Sequence, residues 1–454
     1  MILKKIIILI LIFVTLAFNS KDVESESTEL APTPPMGWNS WDCFGTTVTE
    51  DEVKANADYM AKHLLKHGWE YIVVDIQWSE PNAKAHGYRK FAKLEIDRYG
   101  RLIPAVNRFP SSAEGNGFKP LADYIHNLGL KFGIHIMRGI PRQAVRENLP
   151  IKNTEYYAKD IADTNSVCPW NTDMFGVRAD TPGGQAYYNS IIELYSEWGV
   201  DYIKADDMTA LNGNPADENR LNDIKMLSTA IKKSDRPIVL SLSPGPASIT
   251  QAEFLEEHAQ LWRISDDFWD KWSDILQQFD YMRTWQKHIG PKTWPDADML
   301  PIGKIGIRAE RGDSRFTRFT KDEQITLMSL WSLFKSPLMF GGNLPDNDKF
   351  TLELITNDEV LAVNQHSKNN HEVYNKDGII AWTADAKNSE EIYLGIFNTT
   401  DVDTNVVIDL KSLGLSDNEY RARDIWIKED IDSFKDSIKI KVNLHGAKLL
   451  KLNN

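Results

Sequence analysis

The sequence predicts an α/β protein: a (β/α)8 TIM barrel followed by a C-terminal antiparallel β-sandwich. Three observations carry this. From about residue 36 to 340, short β-rich runs alternate with longer helical stretches, the pattern of repeated βα units around a parallel sheet. Several of those runs end in a polar or charged residue, which fits a barrel whose strand C-termini form the functional face. After about Gln365 the chain changes to short alternating segments parted by Asn, Asp, Gly and Ser, which read as a sandwich. The competing open doubly wound sheet would show a Gly-rich nucleotide loop after an early strand, and none is present.

The elements follow in chain order. Residues 1–20 carry Lys4 and Lys5, an apolar run from Ile6 to Phe18, then small or polar residues; that is the order of a secretory signal peptide. The run falls short of the ~20 residues of a membrane span, and no Cys follows it for lipid attachment. Residues 21–31 are a polar leader. The protein is therefore expected to be exported, to a periplasm or beyond. The barrel is assigned to residues 32–366, with strands at Tyr71–Asp75, Lys131–Met137, Asp201–Asp206, Ile238–Ser243 and Leu261–Ser265. Helical patterns lie between them, at Glu52–Leu65, Pro120–Leu128, Gly184–Glu197 and Leu221–Lys232. Residues 367–454 form the sandwich, from runs such as Glu372–Asp385, Glu390–Thr400 and Tyr420–Asp430. They hold few clustered catalytic residue types, so an accessory role is expected.

Composition narrows the function classes. The 454 residues have a net charge of -13, and no stretch gathers Lys and Arg into a patch. Nucleic acid and anionic membranes are thus poor partners. Fourteen Trp suit carbohydrate binding, because a flat indole covers the apolar face of a sugar, and suit a large core equally. Cys43 and Cys168 lie in no CxxC and near no His cluster, so two buried free thiols are expected, with no metal site and no cofactor.

Four constellations can do chemistry. Asp75 closes the β-branched run Tyr71–Trp78 and is followed by the apolar Ile76, where a sugar site would want a hydrogen-bonding group. In Asp201–Asp207, Lys204 and Asp206 are two apart and share a strand face; the ammonium would keep the carboxylate ionised, as a nucleophile requires. A structural ion pair is the plainer reading. Trp262–Asp267 places Arg263 near Asp266 and Asp267. A retaining glycosidase needs two carboxyls about 5–5.5 Å apart, and one of this pair could meet Asp206 across the barrel mouth. Alternatively, both cap a helix beginning near Phe268. His135 is a lone histidine on an apolar strand, either a satisfied core side chain or a rim group.

Taken together, these runs resemble glycoside hydrolase family 27, the α-galactosidases and α-N-acetylgalactosaminidases. The likeness is carried by TPPMGWNSW at Thr33–Trp41, YIVVDIQW, DYIKADD, the Arg263-to-Asp267 spacing and WPDADML at Trp294–Leu300, in order over about residues 32–366. The resemblance implies retaining hydrolysis of an axial glycosidic bond, with Asp206 as nucleophile and Asp267 as general acid/base. It implies that Trp41 packs on the sugar, that Asp75, Lys204 and Arg263 grip hydroxyls and the nucleophile's surroundings, and that Asp298 and Met299 form the pocket floor.

The chain departs from α-galactosidases at three places. Ile76 replaces the second carboxylate of a pair, His135 stands where a Tyr is usual, and Ser241-Leu242-Ser243-Pro244-Gly245-Pro246 replaces a loop with a cysteine and a bulky or acidic residue; Ser243 is taken as substrate-facing. The absent carboxylate would have met the 6-hydroxyl of galactose. L-Arabinopyranose is galactose without that arm, and its β-L linkage matches α-D stereochemically. The sequence thus looks like the family's β-L-arabinopyranosidase branch, releasing arabinopyranose (or galactose) from a plant-type oligo- or polysaccharide. An α-galactosidase with relaxed C6 recognition and a non-catalytic sugar-binding protein are the alternatives. Self-association into a homo-oligomer is left open.

Overall fold

The computed structural model describes residues 30–210, 213–309, 311–416 and 418–453. The expected signal peptide and all but the end of the expected polar leader lie outside the described residues.

Eight parallel strands build the first layer: β1 (Met36–Asn39), β2 (Tyr71–Val74), β3 (Lys131–Met137), β4 (Tyr202–Asp206), β5 (Val239–Leu242), β6 (Leu261–Arg263), β7 (Trp294–Asp296) and β8 (Leu338–Phe340). They pair in the order β7-β6-β5-β4-β3-β2-β1-β8. Leu300, just beyond β7, bridges in parallel to Phe340 of β8 and closes the ring. Each strand feeds a helix: α1 (Glu50–His63), α2 (Lys119–Asn127), α3 (Pro182–Trp198), α4 (Glu218–Lys233), α5 (Ala252–His258), α6 (Trp272–Trp285), α7 (Lys321–Phe334) and α8 (Asp358–His366). Thr49 with Glu52 and Thr320 with Glu323 start α1 and α7 as capping boxes, satisfying backbone donors that a helix start leaves open.

The barrel interior is packed, large side chains against glycines. Tyr71 and Tyr202 face each other inside at 5.4 Å between ring centroids. A Cβ on Gly37 would come within 2.7 Å of the Tyr71 Cβ, and one on Gly133 within 3.0 Å of the Tyr202 Cβ. Bulk on β2 and β4 therefore requires glycine on β1 and β3. At the far end Trp294 Nε1 donates to the carbonyl of Ala31 at 2.9 Å.

One expectation is corrected here. The helix after Asp266 and Asp267 begins at Trp272, with Lys271 at its cap, so neither aspartate caps it. Phe268 and Trp269 turn inward first, and the chain can start a helix only beyond them. A second feature escaped the sequence: Ile140–Pro141, Ala162–Val167 and Met174–Val177 form a small antiparallel sheet inserted between β3 and α3.

The sandwich begins with β9 (Ser367–Lys376), followed by β10 (Ile379–Ala386), β11 (Ile392–Asn398), β12 (Thr404–Asp409), β13 (Tyr420–Asp424), β14 (Glu429–Phe434), β15 (Ser437–Val442) and β16 (Ala447–Asn453). One antiparallel sheet runs β9-β10-β11-β16-β13-β14, and β12 pairs with β15. The sheet docks on the barrel helices through Phe397 of β11 against Phe279 at 5.2 Å, and His445, in the turn before β16, stacks on Trp272 at 4.0 Å. Both cysteines are buried and free. Among the described residues no helix is long and apolar enough to cross a membrane, and no cluster of His, Cys, Asp and Glu is placed to hold a metal ion.

Candidate active site

At the C-terminal mouth of the barrel lies a cavity of about 240 Å3. Trp41, Asp75, Ile76, Lys204, Asp206, Ser243, Arg263, Asp267, Asp298 and Met299 all line it. Ten residues scattered over the barrel sequence thus converge, because each sits at or just past a strand end. A larger groove of about 540 Å3 runs between α3 and α4, away from the strand ends and without such convergence. His135 is the exception among the expected site residues: it does not line the cavity. Its ring is buried behind Asp206, with Nε2 3.2 Å from Oδ2 of that residue.

The plainer reading of Lys204 and Asp206 as an ion pair is corrected: Lys204 Nζ reaches past β3 and bonds Asp75 Oδ2 at 2.9 Å, and it acts on Asp206 through its charge, which lowers that carboxyl's pKa as expected. The partners of Asp206 are His135 at Oδ2 and the backbone N–H of Asp207, which donates to Oδ1 at 2.8 Å. Burial raises the Asp206 pKa, but the His135 hydrogen bond and charge, Lys204 and the Asp207 N–H outweigh it and bring the carboxyl down to about 2. Asp206 is ionised at neutral pH.

Asp207 takes a left-handed backbone conformation, φ 58, which aims its N–H at its neighbour's carboxylate. A buried network holds it there. Arg138 donates to Asp207 Oδ2 from Nε at 3.0 Å and Nη2 at 2.9 Å, and from Nη1 to Asp223 Oδ2 at 2.8 Å. Arg220 donates to Asp207 Oδ1 at 2.9 Å.

Asp75 is held by the first motif. Asn39 Nδ2 donates to its Oδ2 at 2.7 Å, and Ser40 Oγ accepts from its backbone N–H at 2.9 Å. Burial opposes ionisation of Asp75, but Lys204 and His135 keep its pKa below the usual value. Across the cavity Arg263 Nη1 pairs with Asp298 Oδ1 at 2.8 Å, and Arg263 Nη2 lies 3.5 Å from Asp267 Oδ1. Asp298 Oδ2 accepts from the N–H of Phe268 at 2.8 Å, fixing the loop that presents Asp267. Burial, only partly offset by Arg263 and reinforced by the charge of Asp298, pushes Asp267 up to about 6. A carboxyl held down to about 2 and one raised to about 6 thus share a sugar-sized cavity, the divergence that separates nucleophile and general-acid roles.

Ile76 is 4% exposed. Behind it a small void of about 20 Å3 is bounded by Met137, Met174, His135 and Asp173. Burial raises Asp173 to about 6, so the surroundings of Ile76 already disfavour one carboxylate.

Sequence reasoning missed Asp42, Tyr88, Trp170, Trp269 and Arg311 on the cavity wall. Asp42 follows Trp41 directly in the first motif; burial and the charge of Asp298 raise its pKa well above the usual range. Its Oδ2, with Ser243 Oγ, Arg263 Nε and Trp269 Nε1, is buried without a hydrogen-bond partner. The other four come from long βα loops with no periodic signal; tryptophan abundance was the sole hint.

The chain is similar to known proteins over most of its length. A family model described as Alpha galactosidase A matches residues 33–178 and 172–366, and one for the Alpha galactosidase C-terminal beta sandwich domain matches residues 376–452. Alpha-galactosidase 2 of Arabidopsis thaliana is 26% identical over 426 residues, 93% of this chain and 90% of that protein. The solved structure of a β-L-arabinopyranosidase of glycoside hydrolase family 27 from Geobacillus stearothermophilus is 53% identical, with a TM-score of 0.90, and covers 93% of this chain and 97% of its own. A point variant of that protein, solved in complex with arabinose, superposes with a TM-score of 0.91 at 53% identity, covering 93% of this chain and 98% of its own.

Proposed function

This chain belongs to glycoside hydrolase family 27, the α-galactosidase family, and is a glycoside hydrolase; we propose that it is a retaining exo-enzyme that releases terminal β-L-arabinopyranose. Asp206 attacks the anomeric carbon while Asp267 gives its proton to the glycosidic oxygen, and the remainder of the glycan leaves as an alcohol. A water, deprotonated by Asp267, then attacks the same carbon and frees Asp206, so two inversions restore the configuration. Asp75, Lys204, Arg263 and Asp298 hold ring hydroxyls, Trp41 packs on the ring, and Met299 and Ser243 complete the wall. His135 acts from behind, holding Asp206. Export, read from the Lys4–Phe18 run, belongs to the same proposal, since plant glycans are met outside the cell.

The observation that carries the choice of sugar is Ile76 with its backing of Met137 and Met174. The ring hydroxyls are common to both candidate sugars, so only groups facing C5 can discriminate. A buried 6-hydroxyl without a partner costs about 1–3 kcal/mol, while a bare C5 methylene finds apolar contact. The 53% identity to a protein described as a β-L-arabinopyranosidase supports the same reading. The curated relatives described as α-galactosidases keep dual activity as the second reading.

Nitrophenyl glycosides of β-L-arabinopyranose, α-D-galactose and α-N-acetylgalactosamine, assayed side by side, test it. The arabinoside should have the highest kcat/KM, by roughly 10–200-fold over the galactoside. Ile76→Asp should narrow that ratio; because Asp173 and two methionines back the position, the new carboxylate will be only partly ionised. A wild-type preference for galactose, or an unchanged ratio in Ile76→Asp, would reject this role for Ile76. For the stereochemistry, the first arabinose seen by NMR should keep the substrate's anomeric configuration; an inverted first product rules out double displacement.

A further inference from the structure

The residues that line the cavity come from the barrel, yet one side chain of the sandwich is tied to the segment that presents Asp267. His445, in the turn before β16, stacks its ring on Trp272, with 4.0 Å between centroids and 14° between planes. Its Nδ1 lies 2.8 Å from Glu323 Oε1 of α7, and its Nε2 lies 2.9 Å from Asp401 Oδ1 of the sandwich. Only a ring protonated at both nitrogens donates to both carboxylates at once. Thr326 Oγ1 donates to the His445 carbonyl at 2.7 Å and fixes the turn itself.

Both barrel contacts of this ring lead back to the acid/base segment. Trp272 is the first residue of α6 and so closes the stretch that starts at Asp267. Glu323 shares its carboxylate: Oε1 meets the imidazole, and Oε2 accepts the Thr320 N–H at 2.8 Å. The residues just before Thr320 hold the acid/base segment directly. Phe319 stacks on Phe268 with 6.0 Å between centroids. The buried Asp270 accepts from Arg315 Nη2 at 2.6 Å, Arg315 Nε at 2.9 Å and the Arg318 N–H at 2.9 Å. The segment after Asp267 is thus tied at Phe268 and Asp270 to the approach to α7, and at Trp272 to the imidazole.

We infer that His445 is a positioning residue for the general acid/base: through this one ring, the sandwich sets where the Asp267 carboxyl stands. This rests on the proposed role of Asp267. The two carboxyls of the cavity differ in how they are held. Asp206 sits at a strand end, and its Oδ1 accepts a backbone N–H at 2.8 Å. Asp267 lies beyond the end of β6, and its side-chain contacts with Arg263 and Arg311 are long, 3.5 and 4.0 Å. Contacts of that length do not fix a carboxyl, so its place depends on the backbone that carries it. A shift of ~1 Å in a reacting group can cost ~10²-fold in rate, which makes the bracing of that backbone part of the chemistry.

The test measures kcat/KM on methyl and dinitrophenyl β-L-arabinopyranosides in the wild type, His445→Ala, Asp267→Asn and the double variant. A displaced acid costs rate only where the leaving group needs a proton. His445→Ala should therefore lose roughly ten- to a hundredfold on the methyl glycoside and hardly anything on the dinitrophenyl glycoside. In the Asp267→Asn background the same substitution should cost almost nothing further, because effects that run through one group do not add. His445→Gln, which can still donate to Glu323, should recover part of the loss. Equal losses on the two glycosides, or a full additional loss in Asp267→Asn, would leave His445 a stabiliser of the fold and overturn the proposal. If Asp267→Asn itself does not discriminate the two glycosides, the acid/base assignment has failed; Asp266, on the same segment, then becomes the background, and the same comparison supports or overturns the brace. An enzyme that turns over only galactosides is read on the matching α-D-galactosides. If His445→Ala does not fold, Glu323→Gln takes its place: Gln keeps the capping box and weakens the bond to the imidazole, and the same ratio supports or overturns the role.

Discussion

Asp206→Asn should lower kcat by roughly 10⁴-fold or more while the protein stays folded. An amide cannot form the ester that splits the reaction into two steps, and no neighbouring group substitutes for it: Asp75 is engaged by Lys204 and Asn39. The fold should persist because Asn is isosteric and the barrel core lies below it. Two donors, His135 and the Asp207 N–H, now converge on the carboxylate, and an amide offers only one acceptor. One donor is therefore left facing an NH2, at a cost of about 1–3 kcal/mol, visible as a modest drop in melting temperature. Asp206→Gly in azide gives the sharper readout. Azide attacking from the vacated side should yield an arabinosyl azide of inverted configuration. Wild-type-like turnover in Asp206→Asn, or azide rescue with retention, would remove Asp206 from the nucleophile's place.

The carboxylates themselves were legible in the sequence because barrel geometry delivers strand-end residues to one rim, whatever their order in the chain. Length does not separate the strands, since β2 and β1 both have four residues. Strand β2 reads YIVV, whereas β1, β7 and β8 contain no β-branched residue and escaped the periodic reading; only the motifs around them marked their place. Partnerships were harder to read than positions. Alternation correctly put Lys204 and Asp206 on one face, yet Lys204 bonds Asp75 and Asp206 bonds His135. Those pairs are set by the parallel register of β2, β3 and β4, in which His135 lies opposite Lys204, and register between strands leaves no trace within a single strand. Loops were least legible of all. Tyr88, Trp170 and Arg311 reach the cavity from segments without regular structure, where residue spacing says nothing about direction.

Asp267→Asn should show its effect through the leaving group. Its carboxyl is raised to about 6 by burial and by Asp298, against the pull of Arg263, so it is protonated below that pH and can donate. Losing a general acid costs roughly 10²–10⁴-fold, and the cost depends on how much the departing oxygen needs a proton. On a disaccharide, kcat/KM should fall by the full amount; on a dinitrophenyl arabinoside, whose leaving group departs as a stable anion, it should hardly fall. The second step needs Asp267 as a base whatever the leaving group, so kcat on the activated substrate should drop together with KM as the glycosyl-enzyme accumulates. Azide, a nucleophile that carries no proton, should restore that step. The pH profile gives an independent check. In the wild type kcat/KM on the disaccharide should be highest between the Asp206 and Asp267 pKa values, about 2 and about 6. It should fall as pH rises through the upper one, because the acid is then lost. In Asp267→Asn that upper limb should vanish while the acid limb, which belongs to Asp206, remains. Equal losses on both substrates with the upper limb intact would transfer the role to Asp266, whose carboxylate accepts the Asp267 N–H at 2.8 Å and also reaches the cavity.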